Sequence, residues 1–76
     1  MNPEDMNDTG AELLARAIIY YAVKDYRKAL RDYKKSPYAV TRVIAIERFF
    51  LSEYGQLLCY GRGAFIMEQV RREEGY

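Results

Sequence analysis

Glu47 is the residue of this 76-residue chain whose placement most invites chemistry. It stands among bulky apolar side chains, with Val43, Ile44, Phe50, Leu51 and Tyr54 around it at helical spacing. A carboxylate taken out of water must be neutralised, paired or hydrogen-bonded, because stranding it costs several kcal/mol. Such a group serves either as a general acid or base, or as a buried contact for a partner. Its structural use is to accept hydrogen bonds from Tyr hydroxyls, an Arg, or free N–H groups at a helix start. The chain has no histidine and no second carboxylate near Glu47 in sequence. The structural use is therefore the expectation.

The other chemical candidates are weaker. Cys59 is the lone cysteine, follows two leucines, and has no base to activate it. It reads as a small core or half-buried residue. Gly61-Arg62-Gly63 has no Lys-Ser or Lys-Thr after it, so it reads as a turn and not a phosphate loop. Nothing matches a Ser-His-Asp set, a Walker motif or a metal-spaced acidic cluster. An enzyme is the least expected class, and no catalytic residue, metal or cofactor is expected.

Binding surfaces are easier to find. Lys24, Arg27, Lys28, Arg31, Lys34 and Lys35 recur at spacings of three and four, with Asp25 and Asp32 along the edge of that strip. The functional reading is a basic strip for phosphates or for an acidic protein partner. The plainer reading is a solvated face with cations near a helix C-terminus. Tyr26 and Tyr33 fall on the opposite, core-facing stripe and not among the cations, which makes nucleic acid the second choice. A second surface, Leu13, Leu14, Ala17, Tyr20 and Tyr21, is apolar and lies across the helix from the core stripe. An apolar patch of that size is covered by another element or by another molecule. A homodimer or a heteromeric protein contact is expected there. The exposed loop at Tyr60 and Arg62 is the third candidate surface.

The elements that must position these groups are all helical. Residues 1–8 read as a flexible acidic tail and 9–76 as a single helical domain. Thr9-Gly10-Ala11-Glu12 has the form of a capping box. No Pro or Gly then intervenes before Ser36-Pro37, which predicts one helix of about 25 residues, roughly 38 Å long. Its core stripe is Ala11, Ala15, Ile18, Ile19, Ala22, Tyr26, Ala29, Leu30 and Tyr33. Ser36-Pro37 reads as an N-cap and first helical position. So short a connection folds the second helix back as an antiparallel neighbour. That helix offers Ala39, Val40, Val43, Ile44, Ile46, Phe50, Leu51 and Tyr54 to the core. Ser52 reads as a fresh cap or a bend, and Ala64 to Glu74 as a short closing helix. Phe65, Ile66 and Val70 are its expected inner side, with Arg71, Arg72, Glu73 and Glu74 outside. The fold class is an all-α small helical bundle.

Composition sets bounds on partners. Half the chain is apolar, Tyr occurs eight times and the net charge is +1, which argues for a folded domain with no global field selecting nucleic acid or membrane. Four acids and no base lie between Glu4 and Glu12, while Lys24 to Arg42 carries seven bases against two acids. A single cysteine and no secretory signal suggest the reducing cytoplasm. The longest uncharged apolar run, Ala17 to Val23, is too short to span a membrane.

The run Ile46-Glu47-Arg48-Phe49-Phe50-Leu51-Ser52-Glu53-Tyr54, followed by Leu57-Leu58, resembles a segment of small bacterial prophage and phage proteins. Their pattern is roughly I-E-x-F-F-x-S-E/D-W-x-x-L-L, then a turn and a short helix ending in R-E-E. Tyr54 stands here where those proteins tend to have Trp, and Arg71-Arg72-Glu73-Glu74 resembles the ending. Cys59-Tyr60-Gly61-Arg62-Gly63 departs from their acidic turn. The resemblance implies a phage or prophage origin, a bacterial host cytoplasm, and a Glu47 that belongs to a shared core. The expected function is a small non-enzymatic interaction protein that binds and modulates or inhibits host machinery, for example a CRISPR-type defence effector. A nucleic-acid-binding module and a structural or assembly subunit are the alternatives.

Overall fold

The computed structural model describes the backbone from Pro3 to Tyr76 and the side chains from Gly10 onward. Among the described residues all regular structure is helical: α1 (Pro3–Lys35), a 3₁₀ turn (Pro37–Ala39), α2 (Val40–Leu51), α3 (Glu53–Leu58) and α4 (Gly63–Glu73). The molecule is a rod with extents of 51 × 19 × 18 Å. α1 has 33 residues, about 50 Å of helix, and sets that length.

α1 begins before the expected Thr9 cap, and residues 3–8 of the expected tail carry helical backbone. Pro is admissible in a first helical turn, where its missing N–H costs nothing, and no residue between Pro3 and Thr9 bars a helix. The Thr9 side chain, and with it the expected capping box, lies outside the described side chains. α1 stops at Lys35 as expected. Ser36 is extended (φ −145°, ψ 123°), as the residue before a proline prefers. Its side chain makes no capping bond, so the new helix starts through the tight turn at Pro37 instead.

α2 returns antiparallel along the C-terminal half of α1. Ser52 then ends it by turning extended (ψ 160°), and its hydroxyl accepts from the Gly55 N–H at 3.0 Å. This is the fresh cap and not a bent continuation. α3 closes with an unusual cap. Gly61 N–H donates to the Gln56 carbonyl at 2.8 Å, the long-range bond of a Schellman ending, and Tyr60 holds the left-handed position at φ 56°. α4 ends in the same way, with Tyr76 N–H on the Arg71 carbonyl at 2.8 Å and Gly75 at φ 84°. There the left-handed residue is the usual glycine.

α4 runs parallel to α1 and antiparallel to α2, wedged between them. The core is Tyr26, Ala29 and Leu30 from α1, Val43 and Phe50 from α2, and Met67 and Val70 from α4. Ile19, Ala22, Val23, Ile46, Phe49 and Ile66 pack around it half-buried. Three sequence expectations need correction. Phe65 is exposed and Met67 takes its inward place, because α4 meets the other helices over its Met67–Val70 edge. Ile44, Leu51 and Tyr54 are exposed, since α2 needs only a narrow stripe to contact two neighbours. Ala11 and Tyr33 are exposed as well.

Two glycines allow this closeness. A Cβ on Gly55 would overlap the Phe49 carbonyl oxygen, and one on Gly63 would overlap the Phe50 carbonyl oxygen. The last turn of α2 therefore rests directly on the backbone of α3 and α4. Gly63 N–H also donates to Gln56 Oε1 at 3.0 Å, satisfying a free donor at the start of α4.

Candidate interaction site

Glu47 is half-buried and not sunk in the core; α2 carries it to the edge where α1 and α4 meet. Tyr26 donates its hydroxyl to Glu47 Oε2 at 2.5 Å, and Arg71 Nη1 donates to the same oxygen at 3.2 Å. Arg71 also lies 3.4 Å from the Tyr26 oxygen. One carboxylate thus ties three helices together. Arg71, expected outside, is half-buried for this reason. Burial, then the hydrogen bond and charge of Glu47, push the Tyr26 hydroxyl up to about 12. Burial alone would lower the Arg71 value, but the Tyr26 oxygen and the Glu47 carboxylate outweigh it and raise it. With a protonated Tyr26 and a charged Arg71 on one oxygen, Glu47 works as a strut.

The basic strip is divided by the C-terminal residues. Arg31 grips Glu74 through two hydrogen bonds of 2.6 and 3.2 Å. Arg27 pairs with Glu73 and stands 3.7 Å from Glu74. Lys34 donates to the Glu74 carbonyl and sits 5.0 Å over the Tyr76 ring. Tyr76 in turn donates its hydroxyl to the Leu30 carbonyl at 2.6 Å. Glu74, expected outside, is drawn against α1, and its hydrogen bond to Arg31 holds its carboxyl below the usual range. On the other flank Arg42 reaches Asp32 at 2.6 Å and lowers the Asp32 value. Lys24, Lys28 and Lys35 remain exposed, with neither a salt bridge nor a side-chain hydrogen bond among the described residues.

The apolar patch is brought together and left uncovered. Leu13, Leu14, Tyr20 and Tyr21 are 58%, 63%, 62% and 60% exposed, and Ala17 between them is exposed too. The Tyr20 and Tyr21 rings meet edge to face, 5.4 Å between centroids. The C-terminal helix does not supply the cover that the patch asks for. α4 packs on the Tyr26 and Leu30 side of α1, and the patch lies across the helix from it.

Beside the patch, the turn between α3 and α4 meets α1 at a groove of about 410 Å³. Ala15, Ile19, Leu58 and Ile66 line it, with Glu12, Arg16, Tyr20, Tyr60 and Arg62 as its charged and aromatic lining. Tyr60 is 81% exposed although its left-handed backbone costs a non-glycine residue about 1 kcal/mol. Neither Arg16 nor Arg62 pairs with a carboxylate among the described residues. Sequence reasoning missed Arg16 as part of this site; the signal was that only Glu12 and Arg16 carry charge in that half of the helix. Cys59 lies buried at the groove with its thiol on the Gly55 carbonyl at 3.0 Å, a packing role.

Among the described residues no group of His, Cys, Asp and Glu could hold a metal ion, and no helix is long and apolar enough to cross a membrane. No family model, curated protein or solved structure matches this chain.

Proposed function

We propose that the chain is a small non-enzymatic interaction protein of the phage or prophage type. It acts in the cytoplasm of a bacterial host by stoichiometric binding, and modulates or inhibits host machinery such as a defence effector. The phage setting comes from the resemblance of the Ile46–Leu58 segment and the Arg71–Glu74 ending. The binding role comes from the structure's allocation of its side chains. Arg27, Arg31, Glu47, Arg71, Glu73 and Glu74 at the core end are spent on holding helices together, whereas the opposite end displays aromatics and arginines without a salt bridge among the described residues.

The observation that carries this reading is Tyr60. A large aromatic is held exposed in a backbone conformation that glycine would adopt without cost, beside an apolar groove flanked by Arg16 and Arg62. Strain kept at an exposed position is a mark of a contact residue. Two arginines against one glutamate, Glu12, beside an apolar floor suit a protein segment with an apolar side chain and a neighbouring carboxylate. The nucleic-acid reading has less to stand on, because Arg27, Arg31 and Lys34 already face the Glu73 and Glu74 groups.

The test is affinity capture of the tagged protein from its bacterial host followed by mass spectrometry, run beside Tyr60→Gly and Arg62→Glu variants. A host protein retained by the parent and lost from both folded variants is expected. Equal capture by all three would overturn the assignment of the groove.

A further inference from the structure

We infer that the outer face of α1 is the interface of an antiparallel homodimer whose two-fold axis passes at Ala17. The inference rests on the reading of this end of the molecule as an interaction surface, and it assigns the apolar face to a second copy of the chain while leaving the Tyr60–Arg62 groove for the partner.

Leu13 and Leu14 stand four and three residues before Ala17, and Tyr20 and Tyr21 stand three and four after it. These offsets place all five on one helix face, and they are symmetric about Ala17. An antiparallel pair with its axis there sets Leu13 opposite the partner's Tyr21 and Leu14 opposite the partner's Tyr20. Alanine on the axis permits the close approach of 8–10 Å between helix axes. Tyr21 also lines an apolar groove of about 470 Å³ shared with Ile18, Ala22, Ile46 and Phe49, so the partner's Leu13 arrives at its rim.

Like-charge avoidance selects the same direction. Lys24 and Lys28 continue the Ala17 face seven and eleven residues on and enter no salt bridge among the described residues. A parallel pair would set each lysine against its counterpart, whereas the antiparallel pair keeps the two sets at opposite ends. Antiparallel helix dipoles favour the same choice.

The area is sufficient. Leu13, Leu14, Tyr20 and Tyr21, each about three-fifths exposed, present roughly 500 Å² at about 200 Å² per large side chain. Two such faces bury about 1,000 Å², the lower bound for a specific interface, before the lysine stems are counted.

The experiment combines light scattering with disulfide mapping of the full chain in a Cys59→Ala background. The parent should be a dimer, and Leu14→Glu with Tyr21→Glu should be a monomer of unchanged helicity by circular dichroism. Ala17→Cys should cross-link to itself under mild oxidation. Leu13→Cys should not, yet should cross-link when mixed with Tyr21→Cys. Self-linking of Leu13→Cys would reveal a parallel pair and overturn the inference. A parent that stays monomeric at high concentration would overturn it too. If that monomer still captures a host protein through Tyr60 and Arg62, the proposed function stands without the dimer. If the capture is instead lost on Leu14→Glu, the face belongs to that host protein. A dimer that captures nothing supports the inference and removes the proposed function.

Discussion

Tyr26 and Glu47, separated by 21 residues in sequence, share a hydrogen bond of 2.5 Å, and Arg71 binds the same carboxylate oxygen from a third helix. Tyr26 is fully buried and Glu47 only half so, so the bond joins the core to its edge. Tyr26→Phe should cost about 1.5–3 kcal/mol in urea unfolding, the value of a hydrogen bond to a charged acceptor. A cost near zero would show that the strut is decorative.

The same bond makes a pH prediction. Tyr26 has its hydroxyl raised from 10.0 to about 12, so the folded state keeps a proton that the unfolded state releases. The stabilisation is fully present below pH 10 and is lost as pH rises through the window from about 10 to 12, on the order of 2 kcal/mol in all. Spectrophotometric titration should show a late tyrosinate step that Tyr26→Phe abolishes. A Tyr26→Phe protein with an unchanged late step would contradict the assignment.

The C-terminal clamp predicts acid sensitivity. Arg31, with help from Arg27 and Lys34, holds the Glu74 carboxyl below its ordinary value. A depressed carboxyl contributes stability above its unfolded value, and that contribution disappears as pH falls through the lower folded value. Glu74→Gln should therefore lower the melting temperature at neutral pH and flatten its fall toward acid. Parallel acid profiles for parent and variant would exclude the clamp.

Backbone contact at Gly55 and Gly63 is the fold's least tolerant feature. Either Gly→Ala change forces a methyl into a carbonyl oxygen of Phe49 or Phe50. Overpacking of this kind costs about 1–3 kcal/mol or more, measurable as a drop in the denaturation midpoint. Gly10→Ala, where an added Cβ meets nothing within 4 Å, should instead stabilise by roughly 0.5–1 kcal/mol as a helix interior glycine replaced. A neutral result at Gly55 and Gly63 would mean that the α2 end is not seated as described.

Tyr60 should separate stability from binding. Tyr60→Gly relieves the left-handed backbone and is expected to raise stability by about 1 kcal/mol, read from the shift in melting temperature. The same change removes the exposed aromatic, so capture of the host partner should fall while the protein becomes harder to unfold. A loss of stability would show that the Tyr60 side chain packs and does not wait for a partner.

The helices and their breaks were legible in the residues themselves. Periodicity of 3.6, the Ser36-Pro37 stop, the Ser52 cap and the Gly61–Gly63 turn are local signals, and local backbone preference decides them. The apolar outer patch was legible for the same reason, since residues three and four apart must share a face. What joins each face was not. Glu47 and Arg71 are 24 residues apart, Arg31 and Glu74 are 43 apart, and a helix wheel carries no information about which neighbour fills a given angle. Only the wedging of α4 between α1 and α2 decided that Met67 faces inward and Phe65 outward. The same wedging brought Arg71 to Glu47 and let the chain's end neutralise part of the basic strip. It also left the patch bare, because α2 and α4 pack on the Ile19, Tyr26 and Leu30 side of α1 and the patch lies across that helix.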